Sequence, residues 1–159
     1  MSRLDSVIRR LSAQRDILDH LLADGRLPEG PILELGLGNG RTYHHLREGA
    51  PGRRIIAFDR ALGAHASSVP PAGDLVLGEI AETAQPFRGI GAALVHADIG
   101  TGYDERDAVT LTWLPDLAAG LLAPGGIAVS GLPLDHPDLG PLPLPATVPK
   151  DRYFLYRRR

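Results

Sequence analysis

The sequence contains no cysteine, which excludes disulfides, thiolate nucleophiles and thiolate metal sites. It also lacks any apolar run near the roughly 20 residues that a membrane-spanning helix needs. Charged side chains recur throughout residues 1–22, unlike the apolar core of a signal peptide. The formal net charge is only −2, too small for broad electrostatic binding of nucleic acid or a membrane. We therefore expect a cytoplasmic protein that binds neither.

What remains is the composition of one ordinary globular domain. The chain has 159 residues, 43% hydrophobic and 23% charged, enough for a sizeable core. Apolar residues at three- and four-residue intervals over 3–24 predict an N-terminal helix within 1–25. It is expected either to pack on a sheet or to act as a lid over a pocket. Prolines over 132–149 predict an extended loop. A single domain over 1–159 follows.

The most informative stretch is a short apolar run, 32–35, followed by Gly36, Gly38 and Gly40 and then by a helix. A strand that turns on glycines into a helix aims backbone N–H groups at whatever lies above the strand's end. A second predicted strand ends in Asp59, about 20 residues after Gly40, the position from which an acid accepts hydrogen bonds from ribose hydroxyls. Loop and acid together predict a nucleoside site. The alternatives are a glycine-rich turn without a ligand and an acid that caps the next turn.

The strands alternate with helical or loop connections, which predicts a parallel sheet with right-handed crossovers. We predict strands at 32–35, 54–59, 74–77, 92–97, 127–130 and 153–156. Residues 60–73 lack a full helical pattern. Pro115 kinks a helix or starts a second one, and residues 124–126 read as a stop and turn. The predicted fold class is α/β, Rossmann-like and doubly wound, with about six strands and an antiparallel C-terminal edge strand.

The pattern Glu34-x-Gly36-x-Gly38-x-Gly40 resembles the first motif of the class I S-adenosylmethionine (SAM) dependent methyltransferases. The resemblance covers about residues 30–131, and in size the chain is similar to a small bacterial family of SAM methyltransferases. It extends to Asp59, to Gly78-Glu79-Ile80 and to the Leu-x-Pro-Gly-Gly turn at 122–126.

This resemblance implies a SAM cofactor and a role for each matching residue. Gly36, Gly38 and Asn39 would line the methionine end, with Glu34 behind them. Asp59 would hold the ribose, and Glu79 and Ile80 would frame adenine. The predicted cofactor-binding set is Glu34, Gly36, Gly38, Asn39, Gly40, Asp59, Arg60, Glu79 and Ile80.

Departures from the family patterns narrow the chemistry. Ser130-Gly131 stands where metal-dependent relatives carry Asp-Asn. Asp98 alone is not a site for a hard cation, which needs several oxygen ligands. We therefore expect no metal. Residues 98–101 lack the Asn/Asp-Pro-Pro-aromatic pattern of amino-methyltransferases that act on nucleobases or glutamine.

His96 and Asp98 are two apart on a predicted strand, so they share a face near its carboxyl end. They are the candidate catalytic residues, with His96 a possible general base. The alternative is a satisfied, half-buried His96 and an Asp98 that caps a turn. Which of Tyr43, His44, His45 and Tyr103 faces the pocket is open, and Trp113 is assigned to the core.

The leading function is transfer of a methyl group from SAM to an unidentified small molecule. The alternatives are a non-catalytic SAM-binding or regulatory module, and an NAD-dependent enzyme. The last is disfavoured because Arg41 occupies the position of the third glycine in G-x-G-x-x-G. An exposed edge at the third or the last strand could pair two chains into a homodimer.

Overall fold

The computed structural model of the protein describes residues 1–23 and 25–159, so the expected end of the first helix at residue 24 lies outside the described residues. Within those ranges the α-helices are Arg3–Ala23 (α1), Arg41–Gly49 (α2), Ile80–Thr83 (α3), Asp104–Leu111 (α4) and Leu114–Leu121 (α5). The strands there are Ile32–Leu35 (β1), Ile55–Asp59 (β2), Leu75–Leu77 (β3), Ala92–Ala97 (β4), Leu122–Ser130 (β5), Leu139–Pro141 (β6) and Phe154–Arg158 (β7). Short 3-10 turns occur at Ala66–Ser68, Ala72–Asp74 and Gln85–Phe87. None of the described helices is long and apolar enough to cross a membrane.

The strands form one sheet in the order β3-β2-β1-β4-β5-β7-β6. Strands β1 to β5 pair in parallel, and β7 runs antiparallel between β5 and β6. The predicted doubly wound α/β fold is thereby confirmed. Because parallel strands end at the same edge, the ends of β1 to β4 face one side of the molecule, where ligands of such sheets bind.

Alternate residues of the sheet enter two separate cores. Ile32 of β1 packs with Ile17 and Leu18 of α1, whereas Leu33 packs with Leu117 of α5 on the opposite face. All five side chains are fully buried. Because side chains on a strand alternate between faces, the residues that share a face with Ile32 lie on the α1 side of the sheet.

Two predictions at the C-terminal side of the sheet were wrong. The loop predicted over 132–149 contains β6, which covers β7, so the last strand is not the sheet's edge. A proline is tolerated in β6 because edge strands need fewer backbone donors. The predicted turn at 124–126 belongs to β5, whose register with β4 shifts there. A Cβ on Gly126 would lie 2.7 Å from the Ala92 carbonyl oxygen, so glycine allows this close pairing.

The connections that flank the site follow the sequence more closely. Residues 60–73 contain short 3-10 turns and no α-helix, as their small residues and prolines predict. Pro115 lies in the first turn of α5, where its missing N–H has no helical partner to lose. The residue therefore starts a second helix and does not kink a single one.

Candidate active site

The carboxyl ends of β1 to β4 open into a cavity of about 910 Å³. Its walls come from the glycine loop after β1, the ends of β2 and β4, the start of α3, and the helices α1 and α4. The predicted site residues that line it are Gly36, Gly38, Asn39, Gly40, Asp59, Arg60, Glu79, Ile80 and Asp98. Glu34 and His96 are fully buried and lie outside this lining.

The glycines of the loop differ in what surrounds them. At Gly36 (φ 93°) a Cβ would lie 2.6 Å from Ile99 Cγ2, and at Gly40 (φ 88°) 2.5 Å from Ser68 Cβ. Both are close approaches of the loop to neighbouring segments, which only glycine permits. At Gly38 a Cβ would meet nothing within 4 Å. Gly38 therefore keeps space open above the strand end, while the other two fix the loop.

Asp59 ties the end of β2 to this loop. Its Oδ2 accepts a hydrogen bond from the Gly38 N–H at 2.8 Å, and its Oδ1 accepts one from the Arg60 N–H at 2.7 Å. A carboxylate oxygen can accept more than one hydrogen bond, so Asp59 retains acceptor capacity toward the cavity. The Arg60 guanidinium pairs with Glu79 at 3.0 Å on the exposed rim. These contacts join the ends of β1, β2 and β3.

Asp98 follows His96 at a two-residue interval and meets helix α1. Arg10 Nη1 approaches Asp98 Oδ2 at 3.3 Å. Four residues later on α1, the buried Gln14 donates from Nε2 to the Tyr153 hydroxyl at 2.5 Å. Burial and the nearby Asp98 carboxylate raise the pKa of Tyr153, so its hydroxyl stays protonated. Residues from both ends of the chain, Arg10 and Tyr153, therefore lie near Asp98.

Sequence reasoning missed Arg10, Gln14 and Tyr153. The signal for the first two was available, since they are four apart on one face of a predicted helix and interrupt its apolar stripe. No local pattern marks Tyr153, because its partners are remote in sequence.

Glu34 and His96 form a buried pair beneath the loop. They are direct neighbours on β1 and β4, and His96 Nδ1 lies 2.5 Å from Glu34 Oε1 with both side chains fully buried. Burial raises the pKa of Glu34. Burial lowers the pKa of His96, but the Glu34 and Asp98 carboxylates together outweigh it and raise that pKa above its ordinary value. Both groups of the pair therefore bind a proton more tightly in the folded chain than they do when exposed to water.

This placement corrects the expectation that His96 meets substrate at the strand end. His96 is still inside β4, one residue before its end, and the Tyr153 ring stacks beside it with centroids 6.1 Å apart. Its Nε2 has no hydrogen-bond partner among the described residues. His96 is therefore separated from the cavity lining, whereas Asp98 is part of it.

The residues left open by the sequence also have definite positions. Tyr43 is buried in the α1-side core, His45 pairs with Asp19 of α1 at 2.6 Å, and His44 lies 4.0 Å from Glu48. Tyr103 is exposed. None of these four residues lines the cavity. Among the described residues, no group of three or more His, Asp or Glu could hold a metal ion.

Trp113, which the sequence assigns to the core, does line the cavity while packing against the α5-side core. It lies between α4 and α5, where the helix restarts at Pro115. The side chain is therefore shared between the core and the cavity wall.

Comparison with known proteins agrees with this geometry. A family model described as S-adenosyl-L-methionine methyltransferase matches residues 1–158. The chain is 43% identical to the S-adenosyl-L-methionine methyltransferase of Silicibacter pomeroyi DSS-3, over 100% of this chain and 99% of that one. The crystal structure of that protein matches with a TM-score of 0.90. Among proteins with curated functions the chain has no match.

More distant structures show the fold alone. An O-methyltransferase family protein from Burkholderia thailandensis is 18% identical, with a TM-score of 0.58 over 96% of this chain and 57% of that one. A sugar N-methyltransferase from Streptoalloteichus is also 18% identical, with a TM-score of 0.56 over 76% of this chain and 47% of that one.

Proposed function

Because the chain belongs to the S-adenosyl-L-methionine methyltransferase family, we propose that it methylates a small molecule, without a metal, in the cavity above β1 to β4. SAM is the cofactor of this family. The observation that carries the proposal is that the glycine loop and the Asp59 carboxylate border one cavity, with open space at Gly38.

The residues present fit this cofactor. Gly36, Gly38, Asn39 and Gly40 form the loop that would hold the methionine end, and Asp59 has acceptor capacity for ribose hydroxyls. Glu79, Ile80 and Arg60 line the part of the cavity at β3, where adenine would lie. Glu34 acts on the loop from below and does not touch the ligand. When bound, SAM supplies an electrophilic methyl group on a positively charged sulfur.

The chain contributes chiefly by bringing acceptor and methyl group together, which is worth on the order of 7–11 kcal/mol in well-oriented reactions. Asp98 is the candidate base for an acceptor that must lose a proton. Its position in the cavity wall, next to the loop, supports this role. The Arg10 guanidinium lies beside this carboxylate, with Nη1 3.3 Å from Asp98 Oδ2.

The other candidate function is a SAM-binding module without catalysis, which the buried position of His96 favours because it leaves Asp98 as the one candidate base. We further propose a cytoplasmic protein that binds no nucleic acid. A homodimer that extends the sheet would pair through the β3 or β6 edge, since β7 is covered by β6.

Calorimetry with SAM, S-adenosylhomocysteine (SAH) and NAD tests the cofactor directly. We expect SAM and SAH to bind and NAD not to bind. Transfer of radiolabelled methyl to a panel of acceptors then separates the enzyme from the binding module. With a responsive acceptor, Asp98→Asn should lower turnover while leaving SAH affinity unchanged. Equal turnover in wild type and variant would remove Asp98 from the reaction.

A further inference from the structure

The order of strands along the sheet separates the cavity into two parts. Glu79, Asp59 and the glycine loop follow β3, β2 and β1, and Asp98 follows the next strand, β4. With about 4.8 Å between neighbouring strands, the distance from β3 to β4 is roughly 14 Å. A nucleoside held at Asp59 and Glu79 therefore leaves the part beside Asp98 and α1 for the acceptor.

Arg10 brings a largely unused guanidinium to that part. Its Nη1 contacts the two Asp98 carboxylate oxygens at 3.3 and 3.5 Å, longer than the 2.7–2.9 Å typical of a strong charge-assisted bond. Neither Nε nor Nη2 of Arg10 makes a hydrogen bond to any residue that the structure describes. The side chain lines the cavity and is 38% exposed. A planar fork with free donors matches a carboxylate.

Charge balance during the reaction also favours an acceptor with a carboxylate. Once Asp98 accepts a proton, it no longer neutralises Arg10, and a partly buried cation without a counter-charge is costly. An acceptor with its own negative group would remain paired with Arg10 throughout. A neutral or cationic acceptor would leave Arg10 without a partner in the product state.

Across the cavity from α1, helix α4 adds a second cation and an apolar wall. Arg106 makes no ion pair with a carboxylate in the described part of the chain, and its guanidinium lies 5.1 Å from the Tyr103 ring centroid. Leu11, Val109 and Trp113 line the cavity as well. Two arginines around apolar side chains suit an acid with a compact apolar body.

We propose that the methyl acceptor is a small organic carboxylate, recognised through Arg10 with Arg106 nearby; this rests on the proposed function. An acceptor oxygen or nitrogen bonds to the methyl carbon as the sulfur–carbon bond breaks, and the bonding electrons stay on sulfur, which becomes a neutral thioether. The proton of the acceptor O–H or N–H passes to the Asp98 carboxylate. Atoms and charge balance without a further reactant.

The test uses the full chain saturated with SAH and a library of small carboxylic acids, each paired with its primary amide. Saturation-transfer NMR finds the binders, and calorimetry measures their dissociation constants. We expect acids to bind at least about tenfold more tightly than their amides. Arg10→Gln should abolish that preference, and Arg106→Gln should reduce it. Arg9→Gln is the matched control, because Arg9 contacts the Met1 sulfur and does not line the cavity.

The outcomes separate this inference from the proposed function. If wild type fails to bind SAH, the proposed function itself is wrong, and the inference falls with it. If SAH binds but acids show no advantage over amides, or no acid binds, only the inference is overturned. If Arg10→Gln weakens SAH and leaves acid binding intact, Arg10 holds the cofactor's carboxylate and the inference is again wrong.

Discussion

The cavity wall at β1 to β3 differs in composition from the wall at β4, α1 and α4. At β1 to β3 the wall is largely backbone, with glycines in close contact and a carboxylate bonded to two N–H groups at 2.7 and 2.8 Å. At β4, α1 and α4 it is made of long side chains on helices, with the Arg10–Asp98 contact at 3.3 Å. The first part, which we call the rigid part, is fixed by the fold. The second, which we call the acceptor part, can change with few substitutions.

This difference matches a division of labour between a common cofactor and a particular acceptor. Backbone that is wedged between neighbouring segments cannot adjust, because interiors are close-packed. Side chains on a helix surface can change rotamer at little cost. The predictions below test where the boundary between the two parts lies.

The largest effect is expected at the Glu34–His96 pair, which supports the rigid part from below. His96→Ala should lower the free energy of unfolding by about 3–5 kcal/mol, because it leaves a buried carboxyl group without its partner. Urea unfolding measures this. His45→Ala, which removes an exposed partner of Asp19, is the control and should cost less than about 1 kcal/mol. Similar losses in both variants would mean that the buried pair contributes no more than a surface contact.

The same pair gives stability a pH dependence of defined sign. The folded-state pKa values of Glu34 and His96 both lie above their ordinary values of 4.5 and 6.5. The folded chain therefore binds more protons than the unfolded chain above those values, so stability falls as pH rises. The His96 contribution is complete below pH 6.5 and is lost as pH rises through its higher folded value. The neutral double variant Glu34→Gln/His96→Gln should flatten this slope between pH 6 and 9.

Next in size is the contrast between two glycines of one loop. Both Gly36→Ala and Gly38→Ala place a side chain at positive φ, but only the first also clashes, 2.6 Å from Ile99. Overpacking of this kind costs about 1–3 kcal/mol, so Gly36→Ala should have the lower melting temperature. Gly38→Ala should instead weaken SAH binding, because its Cβ enters open space in the cavity. Equal melting temperatures would show that a Cβ at position 36 fits beside Ile99 without a clash.

How much the sequence predicted follows the same division. The glycine loop and Asp59 could be predicted because a strand, its turn and the acid after the next strand form a local pattern with fixed spacing. Glu79 was predicted from the resemblance to the methyltransferase family. The acceptor part could not, since it depends on contacts between residues far apart, such as Gln14 with Tyr153. The sequence left the burial of His96 open, since it allowed both a catalytic and a half-buried histidine. Its neighbour Glu34 comes from another strand, and register between strands is a tertiary property.

The short strand β6 was not predicted, and the reason is a different one. Its one proline and one glycine have low strand propensity, and pairing with β7 overrides that propensity. Leu139 is buried there, and the Arg159 N–H bonds to the Asp138 carbonyl at 2.9 Å. The element exists because of its partner and not because of its own residues.

Asp59→Ala tests the carboxylate of the rigid part, with a smaller effect on folding than on binding. We expect SAH to bind more than about tenfold more weakly by calorimetry, since each lost hydrogen bond to a charged group is worth about 1.5–3 kcal/mol. The fold should remain intact by circular dichroism. Asp74→Ala is the control: Asp74 pairs with Arg54 and does not line the cavity. Unchanged affinity for SAH would remove Asp59 from the cofactor site.

The smallest effect is expected at Arg60, on the rim of the rigid part. Its pair with Glu79 is 77% and 56% exposed, so Arg60→Gln should change the free energy of unfolding by less than about 0.5 kcal/mol. Calorimetry in low and high salt then distinguishes two roles for Arg60. If it only holds Glu79, SAH affinity should change little and lose its salt dependence. A loss of SAH affinity that persists in high salt would mean that Arg60 contacts the cofactor directly. The boundary of the rigid part would then include an exposed side chain, and the contrast between backbone and side-chain walls would no longer hold at β2.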